Sequence, residues 1–568
     1  MKKKSNLIIS LFALSLTFTS INPQKPFWKL SKSNAKKILS QMSLKEKVGQ
    51  LYTVGAFSYD NEIDKCAIEK LITKYHIGGL MFMYGSLQKQ IELTNHYQNI
   101  SKLPLLISQD CEVGLNMRLP DIINFPFNVT LGAIQNNTLI YELGQEIAKQ
   151  CKLSGVHVNF APVVDINKIA QNPITNDRAY SENKKNVAKK GVAFMKGLQD
   201  AGVIACAKHF PGHANTYLDS HIKLPVIEQT LQELKNVDLY PFAKTFNAGI
   251  MSAMIAHLHI PKIDSTSNLS SSLSPIIIKD ILKKQMKYKG LVFTDALKMH
   301  AITNHFTASE TTLRALHAGN DILVFADSVP DTKTMLKDIS KSVEAVLQAI
   351  KIGLFSKKEI DKKVLKILMA KEWLNLFENK LVEPTINLEE INSEYAEELK
   401  AQLFEEAITV VKNKNKLLPL KNPETKIAYV SNLIDEENNQ FLNTLKSSLD
   451  VTAYSVQKVL CRIVNYKFLT DKFSNYDVVI FDTRALTKQS LKLLNKLIEA
   501  DQKVVLIIFD TPYTLGLFGD EDAIVVAYED EPQAEIAAAK VVSGKQKPKG
   551  KLPITATEKF REGLGLSF

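Results

Sequence analysis

The sequence predicts an α/β protein with two domains, a (β/α)8 TIM-type barrel followed by an α/β sandwich. The first observation is length, because 568 residues exceed what a single hydrophobic core usually serves. The second is a series of eight short β-rich runs between about residues 35 and 375, mostly separated by helix-sized spacers. The third is a set of five further runs beyond residue 400. These observations predict the barrel at 33–375, a linker at 376–400 and the sandwich at 401–568.

The first 24 residues have the layout of a signal peptide. Lys2–Lys4 form a basic start, and Leu7–Phe18 form an apolar run shorter than the roughly 20 residues that a membrane helix needs. We therefore expect residues 1–24 to be removed and the mature protein to be exported, either periplasmic or secreted. An uncleaved anchor is the alternative, and no later stretch is long and apolar enough to span a bilayer.

The barrel begins with a helix whose start is marked by a capping box, Ser43 with Glu46. The strands that follow are predicted from apolar runs rich in β-branched and aromatic residues. They are LYTVGAF from Leu51, IGGLMFM from Ile77, PLLISQD from Pro104, VHVNFAPVV from Val156, VIACAKHF from Val203, MSAMIAHL from Met251, GLVFTDA from Gly290 and ILVFA from Ile322.

Charged and titratable residues collect at one end of these strands. Asp110 ends the third run, Asp165 follows the fourth, Lys208 and His209 end the fifth, His257 ends the sixth and Asp295 ends the seventh. Active sites of (β/α)8 barrels lie at the carboxyl ends of the strands, where the connecting loops converge. The sequence therefore predicts an active site at this end of the barrel.

These residues differ in how strongly they point to function. Asp295 lies inside an apolar stretch, where a carboxylate is costly unless partners hold it, so we expect a functional role. Asp165 and His257 fit equally well as functional residues or as groups that cap or support their neighbours. His213 and His259 are predicted to be structural.

A metal site is the rival chemistry, because several histidines and aspartates occur near the same strand ends. The sequence contains no H-E-x-x-H, and Lys208 would repel a cation at this position. The five cysteines are scattered without a C-x-x-C pair, which argues against a zinc knuckle or a disulfide framework, and Cys206 is predicted to be core. We expect no metal and no cofactor.

The net charge of +11 does not indicate nucleic-acid binding. The basic runs KNKNKLLPLKN and GKQKPKGK carry no interleaved aromatic residues and match no nucleic-acid-binding signature, so they are interpreted as solvated surface. A mildly basic exported protein is compatible with an anionic cell wall. The sequence leaves the oligomeric state open.

The loop after the fifth strand reads KHFPGHANTYLDSH over residues 208–221, followed after two residues by Leu-Pro. This stretch resembles the signature of glycoside hydrolase family 3, in its β-N-acetylglucosaminidase branch, and the similarity runs from about Ser43 to the C-terminus. The resemblance implies that Asp219 and His221 are the general acid/base pair. It also implies that Asp295, within VFTDALKMHAI, is the nucleophile.

The resemblance further implies a set of sugar-binding residues. SQDCEVGLNMRL gives Asp110 and Arg118, NPITNDRAYSE gives Arg178, and Lys208 and His209 are carried over from the loop itself. Lys208, Arg118 and Arg178 would keep Asp295 ionised if they line the same mouth. The sequence departs from the family pattern at Ala214–Asn215, at Val113 and at Ala179–Ser181, which concerns loop shape and aglycone preference.

The chemistry of this residue set is retaining glycoside cleavage, which needs a carboxylate nucleophile and a proton donor for the leaving oxygen. A histidine with a pKa near its usual value of about 6.5 can give and then take that proton near neutral pH. Asp219 would fix the tautomer of His221 and favour the imidazolium. The predicted function is hydrolysis of terminal β-linked N-acetylglucosamine from peptidoglycan fragments or chitin-type oligosaccharides. A non-catalytic carbohydrate-binding protein and a phosphorolytic enzyme are the alternatives.

The C-terminal third is predicted to be a parallel sheet covered on both faces, since its strands are apolar and β-branched. The strands are KIAYVSN, VTAYSV, YDVVIFDT, KVVLIIFD and AIVVAYED. No G-x-G-x-x-G or P-loop motif occurs, so no nucleotide site is assigned. The ending GKLPIT resembles the close of the family's second domain. Because the barrel loop already carries an acid/base pair, we expect this domain to stabilise or shape the cleft.

Overall fold

A computed structural model describes most of the chain after its N-terminal segment. It covers residues 25–169, 172, 175–213, 216, 218, 220, 222–327, 329–432, 437–456 and 466–568. The predicted signal peptide at 1–24, the predicted acid/base residues Asp219 and His221, and Cys461 lie outside the described residues. Within them, none of the helices combines the length and the apolar character that crossing a membrane requires.

The first domain is an eight-stranded parallel barrel, as predicted. Its strands are β1 (Tyr52–Ser58), β2 (Gly79–Gly85), β3 (Leu106–Gln109), β4 (Val158–Asn159), β5 (Ile204–Phe210), β6 (Ser252–Ile255), β7 (Leu291–Thr294) and β8 (Leu323–Phe325). They pair in the order β7-β6-β5-β4-β3-β2-β1-β8. A parallel bridge between Phe293 and Ile322 joins β7 to the residue before β8, so the barrel is nearly closed.

Strand β4 is shorter than the nine-residue run that predicts it. The ladder stops after Asn159, although the carbonyl groups of Ala161 and Pro162 still accept from the backbone N–H groups of Cys206 and Lys208 in β5. Pro162 has no N–H group to donate, which is why a regular strand cannot continue through it. The chain at this point turns towards Asp165 above the barrel.

Helices surround the barrel and occupy most of the spacers between its strands. They span Ser33–Gln41, Leu44–Gly49, Glu62–Tyr75, Leu87–Ile100, Asn128–Ala133, Asn137–Leu153, Lys184–Asp200, Leu231–Asn236, Leu239–Ala248, His300–Thr303, Ala308–Ala318, Thr332–Lys351 and Lys357–Trp373, with a π-helix at Ile276–Gln285 and 3-10 turns at Phe27–Lys29, Leu115–Met117 and Ser271–Leu273. Both hydrogen bonds of the Ser43–Glu46 capping box are present. The helix Ser33–Gln41 precedes it, so the predicted first helix is the second.

The second domain contains a six-stranded sheet rather than the five-stranded one expected. Its strands are β9 (Thr409–Asn413), β10 (Ile427–Ser431), β11 (Val451–Ser455), β12 (Val478–Asp482), β13 (Val504–Ile508) and β14 (Ala523–Val526), in the order β11-β10-β12-β13-β14-β9. The five predicted strands are parallel, and β9 runs antiparallel to β14. The run Thr409–Asn413 follows directly on a helix and is short, so its sequence does not separate it from that helix.

Helices of the second domain and its connection lie at Leu388–Ile391, Glu394–Ala407, Gln440–Lys446, Tyr466–Phe473, Lys488–Glu499 and Pro532–Val542, with 3-10 turns at Lys414–Lys416 and Pro512–Leu517. The helix Glu394–Ala407 begins in the predicted linker and runs across the predicted boundary at residue 400. Its buried face includes Leu399 and Leu403, so the end of the linker is packed structure.

Candidate active site

A cavity of about 620 Å³ opens at the carboxyl ends of the barrel strands. Its charged and titratable lining includes six of the residues predicted from the sequence, namely Asp110, Arg118, Arg178, Lys208, His209 and Asp295. These side chains come from segments that follow or end β3, β4, β5 and β7. The fold therefore gathers at one mouth residues that are up to 185 positions apart in the chain.

Asp110 lies between two cations at the end of β3. Its two carboxylate oxygens accept hydrogen bonds from Lys208 Nζ at 2.7 Å and from an Arg118 amino group at 2.5 Å. Burial alone would raise the pKa of Asp110, but the charges of Lys208 and Arg118 lower it well below its usual value. Asp110 is therefore a fixed negative charge that orients both cations.

Glu112 is a residue of this site that the sequence reasoning did not assign. Arg178 donates to it from Nε at 2.9 Å and from an amino group at 2.6 Å, and Lys208 Nζ lies 2.7 Å from the same carboxylate. Burial opposes ionisation, but Arg178 and Lys208 lower the pKa of Glu112 to about 2. The sequence offered one signal for Glu112, its position two residues after Asp110. The segment there is irregular, so no helix or strand periodicity predicts which way the Glu112 side chain points.

Asp165 holds the segment that ends β5. It accepts from the backbone N–H groups of His209 and His213, and its Oδ2 lies 2.7 Å from His209 Nδ1. The pKa of Asp165 is lowered, because the interaction with His209 and these hydrogen bonds outweigh the effect of burial. Asp165 therefore supports its neighbours, and the His209 ring reaches Arg178, 3.4 Å away, with its other nitrogen.

His213 and His257 are both buried beside the site. His213 Nε2 lies 3.0 Å from the hydroxyl of Ser220, and burial lowers the pKa of His213 to about 4. His257 lies 2.8 Å from Ser272 Oγ and 3.0 Å from the Ala296 carbonyl oxygen. His259, further along the chain, contacts the Leu269 carbonyl.

Asp295 follows β7 and faces the cavity. It accepts a hydrogen bond of 2.8 Å from the backbone N–H of Ala296, and its own N–H donates to the Ile255 carbonyl in β6. Burial alone would raise the pKa of Asp295, but the interactions with His209, His257, the Ala296 N–H and Lys208 lower it. The carboxylate is therefore ionised at neutral pH.

The cause of this ionisation differs from the one expected. Lys208, Arg118 and Arg178 were predicted to keep Asp295 charged, yet the largest favourable contribution comes from His209 and the next from His257. Lys208 contributes less, because it is held by Asp110 and Glu112. The lysine and the arginines are thus organised around the other two carboxylates.

The cavity also has apolar and aromatic walls. The Arg118 guanidinium lies over the ring of Tyr84 at 4.8 Å from its centroid. Five methionines line the cavity: Met81 and Met83 in β2, Met254 in β6, Met117 in the 3-10 turn after β3, and Met299 after β7. A cavity lined by both charged and apolar side chains suits a sugar ring, which has both polar hydroxyls and apolar faces.

The described residues contain no cluster of three or more histidine, cysteine, aspartate or glutamate side chains arranged to hold a metal ion. The carboxylates of the cavity are instead engaged by lysine, arginine and histidine. That no metal is needed stays a prediction. Cys206, predicted to be core, is fully buried within β5.

Comparison with known proteins gives a consistent set of matches. The family described as "Glycosyl hydrolase family 3 N terminal domain" matches residues 43–370. The "Beta-hexosaminidase A" of Pseudoalteromonas piscicida is 28% identical over 559 residues, covering 86% of this chain and 90% of that protein. The "Beta-hexosaminidase" of Nitrosospira multiformis is 30% identical over 280 residues, covering 48% of this chain and 79% of that protein. A solved glycoside hydrolase family 3 β-N-acetylglucosaminidase from Paenibacillus sp. FPU-7 aligns with a TM-score of 0.73 at 25% identity, covering 91% of this chain and 99% of that one.

Proposed function

The chain belongs to glycosyl hydrolase family 3, and on this basis we propose that it is a retaining β-N-acetylglucosaminidase. The observation that carries the proposal is the ionised carboxylate of Asp295, which faces a cavity lined by Arg178, Lys208 and His209. As a member of this family the protein is a glycoside hydrolase that cleaves O-glycosyl bonds. The similarity to a named β-hexosaminidase and a named β-N-acetylglucosaminidase supports N-acetylglucosamine as the sugar that is released.

In the proposed first step, Asp295 attacks the anomeric carbon of the bound sugar. The bond between the carboxylate oxygen and that carbon forms while the glycosidic bond breaks, and the leaving oxygen takes a proton. The reaction needs the carboxylate rather than the carboxylic acid, and the lowered pKa of Asp295 provides it. In the second step water displaces the carboxylate, and the two inversions give net retention.

We assign the proton transfers to His221, assisted by Asp219. The assignment rests on the sequence resemblance, and it is supported by the position of Ser220, the residue between the two, at the cavity wall. A histidine can protonate the leaving oxygen in the first step and deprotonate water in the second, since its usual pKa lies near neutrality.

We assign sugar binding to the charged residues that surround Asp295. Arg118 and Arg178 offer donors to sugar hydroxyls or to an acetamido oxygen, and Asp110 offers an acceptor. Their geometry is fixed before substrate arrives, because each is already held by an ion pair. Side chains that are already ordered lose less conformational entropy when the sugar binds.

We further propose that the natural substrates are cell-wall fragments or chitin-type oligosaccharides and that the protein acts outside the cytoplasm. The signal-peptide layout of residues 1–24 supports export, and the net charge of +11, about +8 without Lys2–Lys4, is compatible with an anionic wall.

The function is tested with matched chromogenic substrates. The protein should release the chromophore from an aryl β-N-acetylglucosaminide much faster than from the aryl β-glucoside, and the first sugar product should be the β-anomer by NMR. Equal rates on both sugars would contradict the assignment to N-acetylglucosamine. Binding without turnover would favour a carbohydrate-binding protein, and a sugar 1-phosphate formed in phosphate buffer would favour phosphorolysis.

The role of His221 is tested by the variant His221→Ala. We expect a loss of about 10²–10⁴-fold on a natural disaccharide, whose departing sugar needs a proton. An aryl substrate with a good leaving group should instead give a burst followed by slow hydrolysis, because only the second step still needs a base. Equal losses on both substrates without a burst would assign His221 a structural role.

The absence of a metal requirement is tested by dialysis against a chelator. Activity should be unchanged, because lysine, arginine and histidine already neutralise the carboxylates of the cavity. A loss of activity that zinc restores would support the metal alternative.

A further inference from the structure

The segment that carries Arg178 lies between the active-site cavity and the second domain. All the described residues that line the cavity lie between positions 81 and 329, so they belong to the barrel. The segment 175–183 nevertheless makes several contacts with residues beyond position 500. The second domain therefore touches the segment behind the cavity rather than the cavity itself.

Glu529, just after β14, holds a short barrel helix that packs on this segment. The carboxylate accepts from the backbone N–H of Phe127 at 2.9 Å and from the hydroxyl of Thr130 at 2.5 Å. Glu529 is only 8% exposed, so these contacts are made away from bulk water. Two hydrogen bonds to one buried oxygen, sheltered from competing water, fix the start of the helix Asn128–Ala133 against the second domain.

The helix Asn128–Ala133 in turn binds the backbone of the Arg178 segment. Asn128 Nδ2 donates to the Arg178 carbonyl at 2.7 Å, and the Val129 N–H donates to the Asp177 carbonyl at 3.1 Å. The helix approaches closely at Gly132, where a Cβ atom would lie 1.7 Å from the Tyr180 carbonyl oxygen. No side chain fits between the helix and the segment, so a shift of one moves the other.

The second domain also holds the other end of the segment. Ser181 Oγ donates to the Pro553 carbonyl at 2.6 Å, and the Glu182 N–H donates to the same oxygen at 3.1 Å. Thr555 donates to the Glu182 carboxylate from its N–H at 2.8 Å and from its hydroxyl at 2.6 Å. Arg178 thus lies on a segment that the second domain fixes from both sides.

We infer that Glu529 is a positioning residue for Arg178, so that the second domain sets the geometry of the sugar site although none of its described residues lines that site. The path runs from Glu529 through the helix Asn128–Ala133 to the Arg178 backbone, and the guanidinium then reaches Glu112 at 2.6 and 2.9 Å. Misplacing a substrate-orienting group by about 1 Å can cost about 10²-fold in rate. Only the assay used to test this inference rests on the proposed function.

The test compares Glu529→Ala with a matched control, Glu531→Ala. Glu531 lies two residues away at the same interface, but its carboxylate binds Asn124 and Lys400. It makes no described hydrogen bond to the helix Asn128–Ala133. We expect Glu529→Ala to lower kcat/KM about 10–100-fold and Glu531→Ala to leave it within about threefold of the parent. Glu529→Gln retains an acceptor oxygen and should recover most of the loss.

The decisive measurement is the double variant with Arg178→Ala. If Glu529 acts through Arg178, the loss caused by Glu529→Ala should disappear once Arg178 is absent, because interacting residues are non-additive. A loss that persists in the Arg178→Ala background, or equal losses in the two glutamate variants, would overturn the inference. If Glu529→Ala does not fold, Thr130→Val removes the hydroxyl that donates to the carboxylate and should show the same non-additivity.

Failure of the proposed function would look different. The parent protein would then show no turnover of the aryl N-acetylglucosaminide. In that case the same variants are compared by calorimetric binding of N-acetylglucosamine. A weaker affinity in Glu529→Ala but not in Glu531→Ala would support the inference, and equal affinities in both would overturn it.

Discussion

At the scale of single residues, the partners of each carboxylate distinguish its role. Asp110 and Glu112 are each paired with two cations, which suits them to hold and orient those cations. Among the described residues, no lysine or arginine forms an ion pair with Asp295, whose carboxylate accepts from the Ala296 N–H. A carboxylate that is ionised but not engaged by a strong cation is the better nucleophile, because its charge remains available to the sugar.

The nucleophile assignment predicts a large and specific loss. Asp295→Ala should lose several orders of magnitude in kcat on the aryl N-acetylglucosaminide. It should still bind N-acetylglucosamine, because the sugar-binding residues around position 295 are unchanged. Asp327→Ala removes another carboxylate from the cavity lining and should lose far less. Steady-state kinetics and calorimetry measure the two effects. Near-normal turnover by Asp295→Ala would contradict the assignment of Asp295 as the nucleophile.

Glu112→Gln tests the residue that the sequence reasoning missed. The substitution leaves Arg178 and the buried Lys208 with less negative charge around them. Removing one partner of a buried ion pair typically costs about 3–5 kcal/mol, and Asp110 remains to hold Lys208, so we expect about 3 kcal/mol or less in the free energy of unfolding. We also expect a higher KM. Urea unfolding and kinetics measure both, and a variant unchanged in each would contradict the role of Glu112.

Site residues at the end of a strand could be predicted from the sequence. Site residues whose roles depend on distant partners could not. Asp110, Lys208 and Asp295 follow recognisable apolar runs, and the rule for barrel active sites places them together. The role of Glu112 depends on Arg178, which lies 66 residues away in an irregular segment. No pattern in the sequence gives the direction of such side chains, so only the folded structure pairs them.

At the scale of secondary-structure elements, a second charge cluster lies at the amino end of β8. Asp321 accepts from the Val292 N–H at 3.0 Å and from Lys366 at 2.7 Å, and Lys283 lies 3.4 Å away. The cluster joins β7, β8, the π-helix and the helix Lys357–Trp373. It lies at the end of the barrel opposite to the cavity, so we assign it to stability rather than to catalysis.

This cluster predicts a pH dependence of stability. Burial alone would raise the pKa of Asp321, but Lys283, Lys366 and Lys363 lower it below the unfolded value of about 3.9. The contribution of this carboxylate is therefore full above about pH 4 and is lost as the pH falls further. Asp321→Asn should be less stable than the parent by a few kcal/mol at pH 7, and the difference should shrink in acid.

Denaturant unfolding at pH 7 and at pH 3 measures this difference. Asp338→Asn is the control, because that carboxylate pairs with Lys298 nearer the surface and should contribute about 1 kcal/mol or less. A constant difference between Asp321→Asn and the parent at both pH values would contradict the assignment.

The strands were predicted well where each is a long apolar run, and less well where the sheet ends irregularly. All eight barrel strands lie within or overlap their predicted runs. The truncation of β4 depends on Pro162, and the antiparallel strand β9 is too short to distinguish from the end of its helix. Local propensity does not decide such cases, because tertiary pairing determines them.

At the scale of the whole molecule, the interface between the domains was beyond sequence reasoning. Glu529 and Phe127 are 402 positions apart, and their contact becomes visible only when both domains are folded. The sequence predicted a second domain that stabilises the protein or shapes the cleft, and the contacts around Glu529 offer a physical route to the second of these. The end of the predicted linker has a helix-like sequence, but the sequence did not show that the helix Glu394–Ala407 continues into the second domain.

The interface predicts a pH dependence of opposite sign to that of Asp321. Burial raises the pKa of Glu529 to about 7, with Glu531 adding to the rise and Lys400, Thr130 and the Phe127 N–H opposing it. The unfolded value is about 4.3, so stability from this group is full below about pH 4 and is lost as the pH rises through 7. Glu529→Gln should therefore gain stability relative to the parent at pH 8, by up to roughly 3 kcal/mol.

Thermal or denaturant unfolding at pH 5 and pH 8 measures this effect. The gain of Glu529→Gln should be larger at pH 8 than at pH 5, because only the ionised carboxyl is penalised by burial. A gain that does not depend on pH would mean that the ionisation of Glu529 is not what limits stability there.

The close approach of Gly132 to the Tyr180 carbonyl restricts how the two domains can be recombined. A chimera that joins this barrel to a foreign sandwich domain must reproduce the contacts made by Glu529 and Pro553, or the segment beneath the sugar site loses its support. An exchange of domains should therefore keep this barrel together with its own sandwich, or carry these contacts over into the new partner.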